Sequence, residues 1–249
     1  MRGLTFFLAI IFLCIPLTGC AGSGGLASPS TVGEIAFDSG YQCEHIIYIR
    51  ENEEYIPYIV VSQDYQGMAL LLRKNVLDEN HVFNPPNIEE ISSYYPDSSI
   101  RIWLENTFQY MLGAPIETVK LEVTSQEAIN HALGGTELIE STVFLLSATE
   151  VCFPNRISFY KEGEELDMFK QMDESRVAFT KDNLATGWWL RTPNISKSAV
   201  VYSVSDEGYV ASAGIYTITG AVTMGIRPAF CVKADTEIIN KNGTFYLVD

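Results

Sequence analysis

"GWWLRTP", residues Gly187–Pro193, sets two adjacent tryptophans and an arginine in one apolar run that stops at Thr-Pro. Neighbouring side chains of an extended strand point to opposite faces, so Trp188 and Trp189 cannot share one cover. The segment predicts a strand lying between two protein layers, with at least one indole ring almost fully buried. A guanidinium in such a run must be hydrogen-bonded, paired or laid over an aromatic face, which constrains Arg191 and equally Arg227 in "GIRPAF". Two readings stand for Trp188, Trp189, Arg191 and Arg227. Either they tie the second half of the fold together, with Arg191 holding loop carbonyls and a carboxylate such as Asp97 or Asp206, or they floor a groove in which a ring stacks on a sugar or peptide.

Around this segment the chain alternates in the manner of short strands. "AVVYSVSDEGYVASAGI" and "MGIRPAFCV" follow it, broken by Asp-Glu-Gly and Thr-Gly turns, so the second half is mainly β. Between Glu44 and Leu72, β-branched and aromatic runs are interrupted at "RENEE" and "SQDYQG", the pattern of a β-meander. One clear helix is predicted in "DSSIRIWLENTFQYML": Asp97 or Ser98 caps it, and Ile100, Leu104, Phe108, Met111 and Leu112 share a stripe with Trp103 beside it. Asp97 and Arg101, four apart, can pair on its other flank. "IETVKLEVT" alternates again, and the apolar "VFLL" at Val143–Leu146 leads into Ser147-Ala-Thr-Glu150, a capping box that predicts a short helix from Ala148.

The first residues fix the compartment. "MRGLTFFLAIIFLCIPLTGC" has a basic Arg2 and an apolar run too short to span a bilayer. Its end, Leu17-Thr18-Gly19-Cys20, resembles a bacterial lipobox, which implies that Cys20 is acylated and becomes the mature N-terminus. Several acyl chains on one residue hold a protein to a membrane stably. Residues 1–19 thus read as a lipoprotein signal peptide, 20–33 as a flexible Gly/Ser-rich tether and 34–249 as one domain facing the extracellular side. Without the signal about 230 residues remain, and a hydrophobic content of 47% suits a single sizeable core. Sixteen basic against 31 acidic residues give a net charge of −15, which repels nucleic acid and anionic headgroups, so the anchor rather than a basic patch must hold the membrane.

The succession "YPDSSIRIWLENTF", "VFLLSATEV", "GWWLRTP" and "GIRPAF" resembles DUF6273, a domain of unknown function of Gram-positive bacteria. Its pattern is a "SxIRxWLN" helix, an "FLLS" strand, a "WWLRSP" strand and a closing "GVRPA". The resemblance covers Ile46 to Val232; the chain departs from it at Glu105 and at Thr192. More distantly, the closing Gly-x-Arg strand after a tryptophan strand and a long loop is similar to relatives of the formylglycine-generating enzyme. This implies an α+β fold of the C-type-lectin-like, sulfatase-modifying-factor-like kind: one domain, mainly antiparallel β, with two or three short to medium helices. The enzymes of that group use paired cysteines with copper. Cys152 and Cys231 precede "FPN" and "VKA", which do not match that motif, so the activity is not carried over.

Catalytic signatures are lacking. His45, His81 and His131 are scattered, and neither GxSxG nor HExxH occurs. There is no CxxC and no zinc spacing, and Cys43, Cys152 and Cys231 are an odd number, which permits one disulfide at most. No glycosidase pair can be picked from the carboxylates, and no EF-hand spacing frames the acidic turns. No catalytic residue, metal or cofactor is assigned. The expectation is a surface lipoprotein that binds or adheres to an extracellular glycan or protein without catalysis, with a wall-modifying enzyme and a structural envelope protein as the alternatives.

Overall fold

Alternation between residues 46 and 73 builds three antiparallel strands: β1 (Ile46–Glu51), β2 (Glu54–Tyr65) and β3 (Met68–Arg73). In the computed structural model, residues 28–77, 82–84, 93–131, 133–153, 158–170, 173–197, 199–214 and 224–248 are described. The β2–β3 turn needs positive φ at both central residues to match strand twist, and Gln66 and Gly67 supply it at 56° and 83°. After α1 (Ser99–Asn106) come β4 (Leu112–Gly113), β5 (Val119–Thr124), α2 (Gln126–His131), β6 (Thr136–Ser141) and β7 (Val143–Phe144). The second half adds β8 (Ala178–Phe179), β9 (Ala185–Thr186), β10 (Trp188–Pro193), β11 (Val200–Val204), β12 (Val210–Gly214), β13 (Ala229–Val232), β14 (Ile238–Lys241) and β15 (Thr244–Leu247). The arrangement is α+β and mainly antiparallel, with two short α-helices among the described residues.

The main sheet runs β14-β15-β1-β2-β3-β13-β7, with β4 beside the end of β1. Residues Ala69 to Leu72 of β3 are fully buried, so this central strand is covered on both faces and carries a continuous apolar run instead of alternation. A second sheet, β10-β11-β12, places GWWLRTP in the interior, and all six residues of β10 are buried. Gly187 precedes it because a Cβ there would lie 2.9 Å from the Val204 carbonyl oxygen.

Several local expectations need correction. The predicted helix over 97–112 is shorter: Ser98 caps it by accepting the Arg101 N–H at 3.3 Å, and it ends at Asn106. Thr107 leaves helical space at φ −135°, and a separate 3₁₀ turn, Phe108–Met111, follows. Asp97 lies before the cap, exposed at the end of another 3₁₀ turn, and Arg101 pairs with Glu105 at 2.9 Å instead of with Asp97. Packing also begins before residue 34. Val32 is fully buried, its N–H donates to Thr236 O at 2.9 Å, and Thr31 bridges to Glu237, so the last tether residues belong to the domain. Residues 1–27, with the signal segment and Cys20, lie outside the described residues. Cys43, Cys152 and Cys231 are not joined by a disulfide.

Candidate functional site

β10 presents its residues to the interior on both sides. Trp188 and Trp189 are both 0% exposed. The Trp188 ring N–H donates to Arg176 O at 2.9 Å, while the Trp189 ring meets Phe83 edge-on at 5.9 Å. Arg191 donates from Nη1 to Glu150 Oε2 at 2.7 Å and from Nη2 to Oε1 at 2.9 Å, with a further bond to Leu145 O at 2.8 Å. Its carboxylate partner is therefore Glu150, and neither Asp97 nor Asp206. Arg227 lies 4.8 Å over the Trp188 ring and donates from Nε to Arg73 O at 3.1 Å. Burial pushes its guanidinium down to about 9. At 0–1% exposure these four side chains are closed to any ligand; they are interior, and no groove is floored by them.

Ser147 and Glu150 make both reciprocal bonds of a capping box, Ser147 N–H to Glu150 Oε2 at 2.8 Å and Glu150 N–H to Ser147 Oγ at 3.0 Å. No helix follows; the chain turns through residues 148–152 and exits at Cys152 with φ 58°. The turn instead aims Glu150 at Arg191, with the Tyr65 hydroxyl donating to it at 2.6 Å. Glu162, equally buried, accepts from Thr124 N–H at 2.7 Å and Thr124 Oγ1 at 2.8 Å. Desolvation opposes the charge of Arg191, but Glu150 and Glu162 outweigh it and hold the guanidinium above its ordinary value.

Desolvation also raises the Glu162 carboxyl above 4.5, against the pull of Arg191 and of its hydrogen bonds. A raised folded value means that the stabilisation is complete below the unfolded value and is lost as pH rises through the folded one. Unfolding free energy is thus expected to fall across the window beginning at 4.5, and Glu162→Gln should remove that part of the slope in urea titrations run at several pH values. An unchanged slope in Glu162→Gln would contradict the assignment.

Solvent reaches a different place. A cleft of about 470 Å³ opens between the inner face of the main sheet and the helix, lined by Glu51, Asn52, Glu53, Glu54, Ile56, Arg73, Leu77, Trp103, Phe108 and Met111. The β1–β2 turn forms one lip: Asn52 adopts φ 52°, and its N–H donates to Met111 O at 2.7 Å, which fastens the hairpin to the 3₁₀ turn. Half-buried Trp103 stands opposite, its ring 5.6 Å from Phe108. Glu51 and Arg73 form a two-point pair at 2.8 and 3.2 Å, and the Tyr58 hydroxyl donates to the same carboxylate. Arg73 Nη1 also donates to Asn75 O at 2.9 Å and Val76 O at 2.6 Å. Burial and Glu51 raise the Tyr58 phenol well above its ordinary value, so it stays a donor. Glu53 and Glu54 lie exposed at the lip.

Among the described residues lining the cleft none is His, Cys or Ser, and the one carboxylate inside it is already matched by a guanidinium and a phenol. Such a wall can hold a ligand, and its other carboxylates, Glu53 and Glu54, sit in solvent at the lip instead of inside the cleft. A second recess of about 300 Å³ beside Tyr65 and Gly163 is lined by five carboxylates. Asp38 there accepts from Ser62 and Gln63, and Asp167 and Glu164 pair with Lys170 and Lys161. Among the described residues no cluster of metal-ligating side chains occurs, and no helix is long and apolar enough to cross a membrane.

Of the described candidate site residues named from sequence only Trp103 lines this cleft, joined by Phe108 and Met111, which the sequence marked only as members of the apolar stripe. Glu51, Ile56, Arg73 and Met111 were not anticipated as a site, although Arg73 closes the apolar run "MALLLR" as Arg191 interrupts its own. A family model described as a domain of unknown function, DUF6273, matches residues 66–234. That span holds the Arg73, Leu77 and helical walls of the cleft, and the β1–β2 lip precedes it. No curated protein and no solved structure matches the chain.

Proposed function

This chain belongs to the DUF6273 family, and from that premise we propose that it is a lipid-anchored surface protein whose single domain binds an extracellular glycan or protein without catalysis. The observation that carries the binding role is the Trp103 cleft, in which apolar side chains are open to a ligand while the ionisable pair Glu51–Arg73 is already satisfied. Binding sites combine a concave apolar floor with a few fixed polar groups, and an acid–base site needs ionisable groups held in reserve. The anchor rests on Leu17-Thr18-Gly19-Cys20 after an apolar run. A C-type-lectin-like architecture is the finer part of the proposal; its support is that the first and last strands, β1 and β15, are neighbours in one sheet.

The test is made on the full chain. A fatty-acid probe is expected to label it through Cys20 and to be lost in Cys20→Ser. On arrays of cell-wall glycans and surface proteins, Trp103→Ala is expected to weaken binding about tenfold or more with the fold retained by circular dichroism. Secreted, unlabelled protein would overturn the anchor. Equal binding by Trp103→Ala, or release of cleaved products from the array, would overturn the binding role of the cleft.

A further inference from the structure

The walls of the Trp103 cleft differ in a way that restricts its occupant. The floor is aliphatic, aromatic and thioether: Ile56, Leu77, Trp103, Phe108 and Met111. Methionine adapts its shape to varied apolar partners, and aromatic side chains dominate the energetics of anchoring pockets. Few hydrogen-bonding groups of the floor remain to read sugar hydroxyls, since Glu51 holds Arg73 and Tyr58. A saccharide bound there would leave hydroxyls against apolar walls, which is costly. The lip is different again: Glu53 and Glu54 are exposed, accept hydrogen bonds only and carry negative charge.

Resting on the binding role argued above, we propose that the occupant is a segment of a partner protein in which an apolar side chain is flanked by lysine or arginine. The apolar residue fills the floor, and the cationic neighbours lie against Glu53 and Glu54. Charge complementarity favours this partner over the others. A second copy of the chain, at a net charge of −15, would bring like charge to an acidic lip, and anionic lipid or an acidic peptide would meet the same repulsion. The cleft, about 470 Å³, falls within the range of about 300–1,000 Å³ usual for ligand pockets.

The three tryptophans make the test selective. Trp188 and Trp189 are fully buried, so collisional quenching of the full chain's fluorescence by acrylamide reads Trp103. The probes are a tryptophan-free peptide with leucine between lysines, the same peptide with glutamate for lysine, the same with serine for leucine, and an N-acetylglucosamine oligomer. The lysine–leucine peptide is expected to cut quenching about threefold as it covers the ring. Its affinity should fall as salt rises. Glu53→Lys with Glu54→Lys, two exposed positions at the tip of the β1–β2 hairpin, is expected to reverse the preference to the glutamate peptide by about tenfold. Equal protection by the glutamate or serine peptide would overturn the proposal. Protection by the saccharide alone would overturn it while leaving the cleft as a binding site. Protection by none, in a chain whose array ligand still binds, would overturn both.

Discussion

Replacing Arg191 with methionine is expected to cost about 3–5 kcal/mol of unfolding free energy, the penalty of stranding a buried charge. Glu150 is 0% exposed and would keep only neutral donors, the Tyr65 hydroxyl at 2.6 Å and the Ser147 N–H at 2.8 Å. Lysine at this position retains charge but cannot reproduce two parallel bonds at 2.7 and 2.9 Å together with the bond to Leu145 O, so Arg191→Lys should fall between wild type and methionine. Urea unfolding measures the loss as a shift in midpoint at constant slope. A double-mutant cycle with Glu150→Gln should give a coupling of about 1–3 kcal/mol, since each single variant orphans the other side chain. A loss under about 1 kcal/mol in Arg191→Met would mean that Glu150 is stabilised elsewhere, and the cluster would lose its place at the centre of the fold.

Trp189→Ala is expected to cost a similar amount, about 3–5 kcal/mol, for a different reason. The ring is sealed between β10 and Phe83, and its removal leaves a void that a strand buried on both faces cannot collapse to fill. Trp189→Phe keeps an aromatic ring against Phe83 and should recover much of the loss. On the other face of β10, Trp188→Phe loses the bond to Arg176 O and part of the ring beneath Arg227, so it should be worse tolerated than Trp189→Phe. Thermal and urea unfolding decide it. A Trp189→Ala variant with unchanged stability and lost ligand binding would return this ring to a binding role.

Much of the fold is readable from neighbours in sequence. The hairpins of residues 46–73 follow from alternation and turn residues, and β10 between two layers follows from two adjacent tryptophans. What escapes local reading is set by partners far along the chain. The apolar stripe continues past Thr107, yet the helix stops there, because Gln109 and the Met111 carbonyl are engaged by Thr142 and Asn52. Tertiary contacts override helix propensity at this point. Ser147 and Glu150 form their reciprocal bonds as the motif requires, but the helix is lost to a salt bridge with a residue 41 positions on. The cleft is hidden for the same reason: its walls come from residues 51–56, 73–77 and 103–111, and no one of these carries a chemical signature. Trp103 was visible as the flank of a helical stripe and as the tryptophan of the family's helix motif, and its exposure depends on where the β1–β2 turn is fastened.

The strand order of the main sheet has a consequence in time. β3 lies between β2 and β13, and β1 between β2 and β15, so two of the earliest strands wait for partners at residues 229–232 and 244–247. Such distant pairings demand closure of long loops before any contact rewards it, which makes folding slow. A ribosome adding about 5–20 residues per second has delivered nearly the whole polypeptide before the sheet can close. The main sheet therefore stays incomplete for most of synthesis, and the chain can be threaded or held in that interval before the domain has closed.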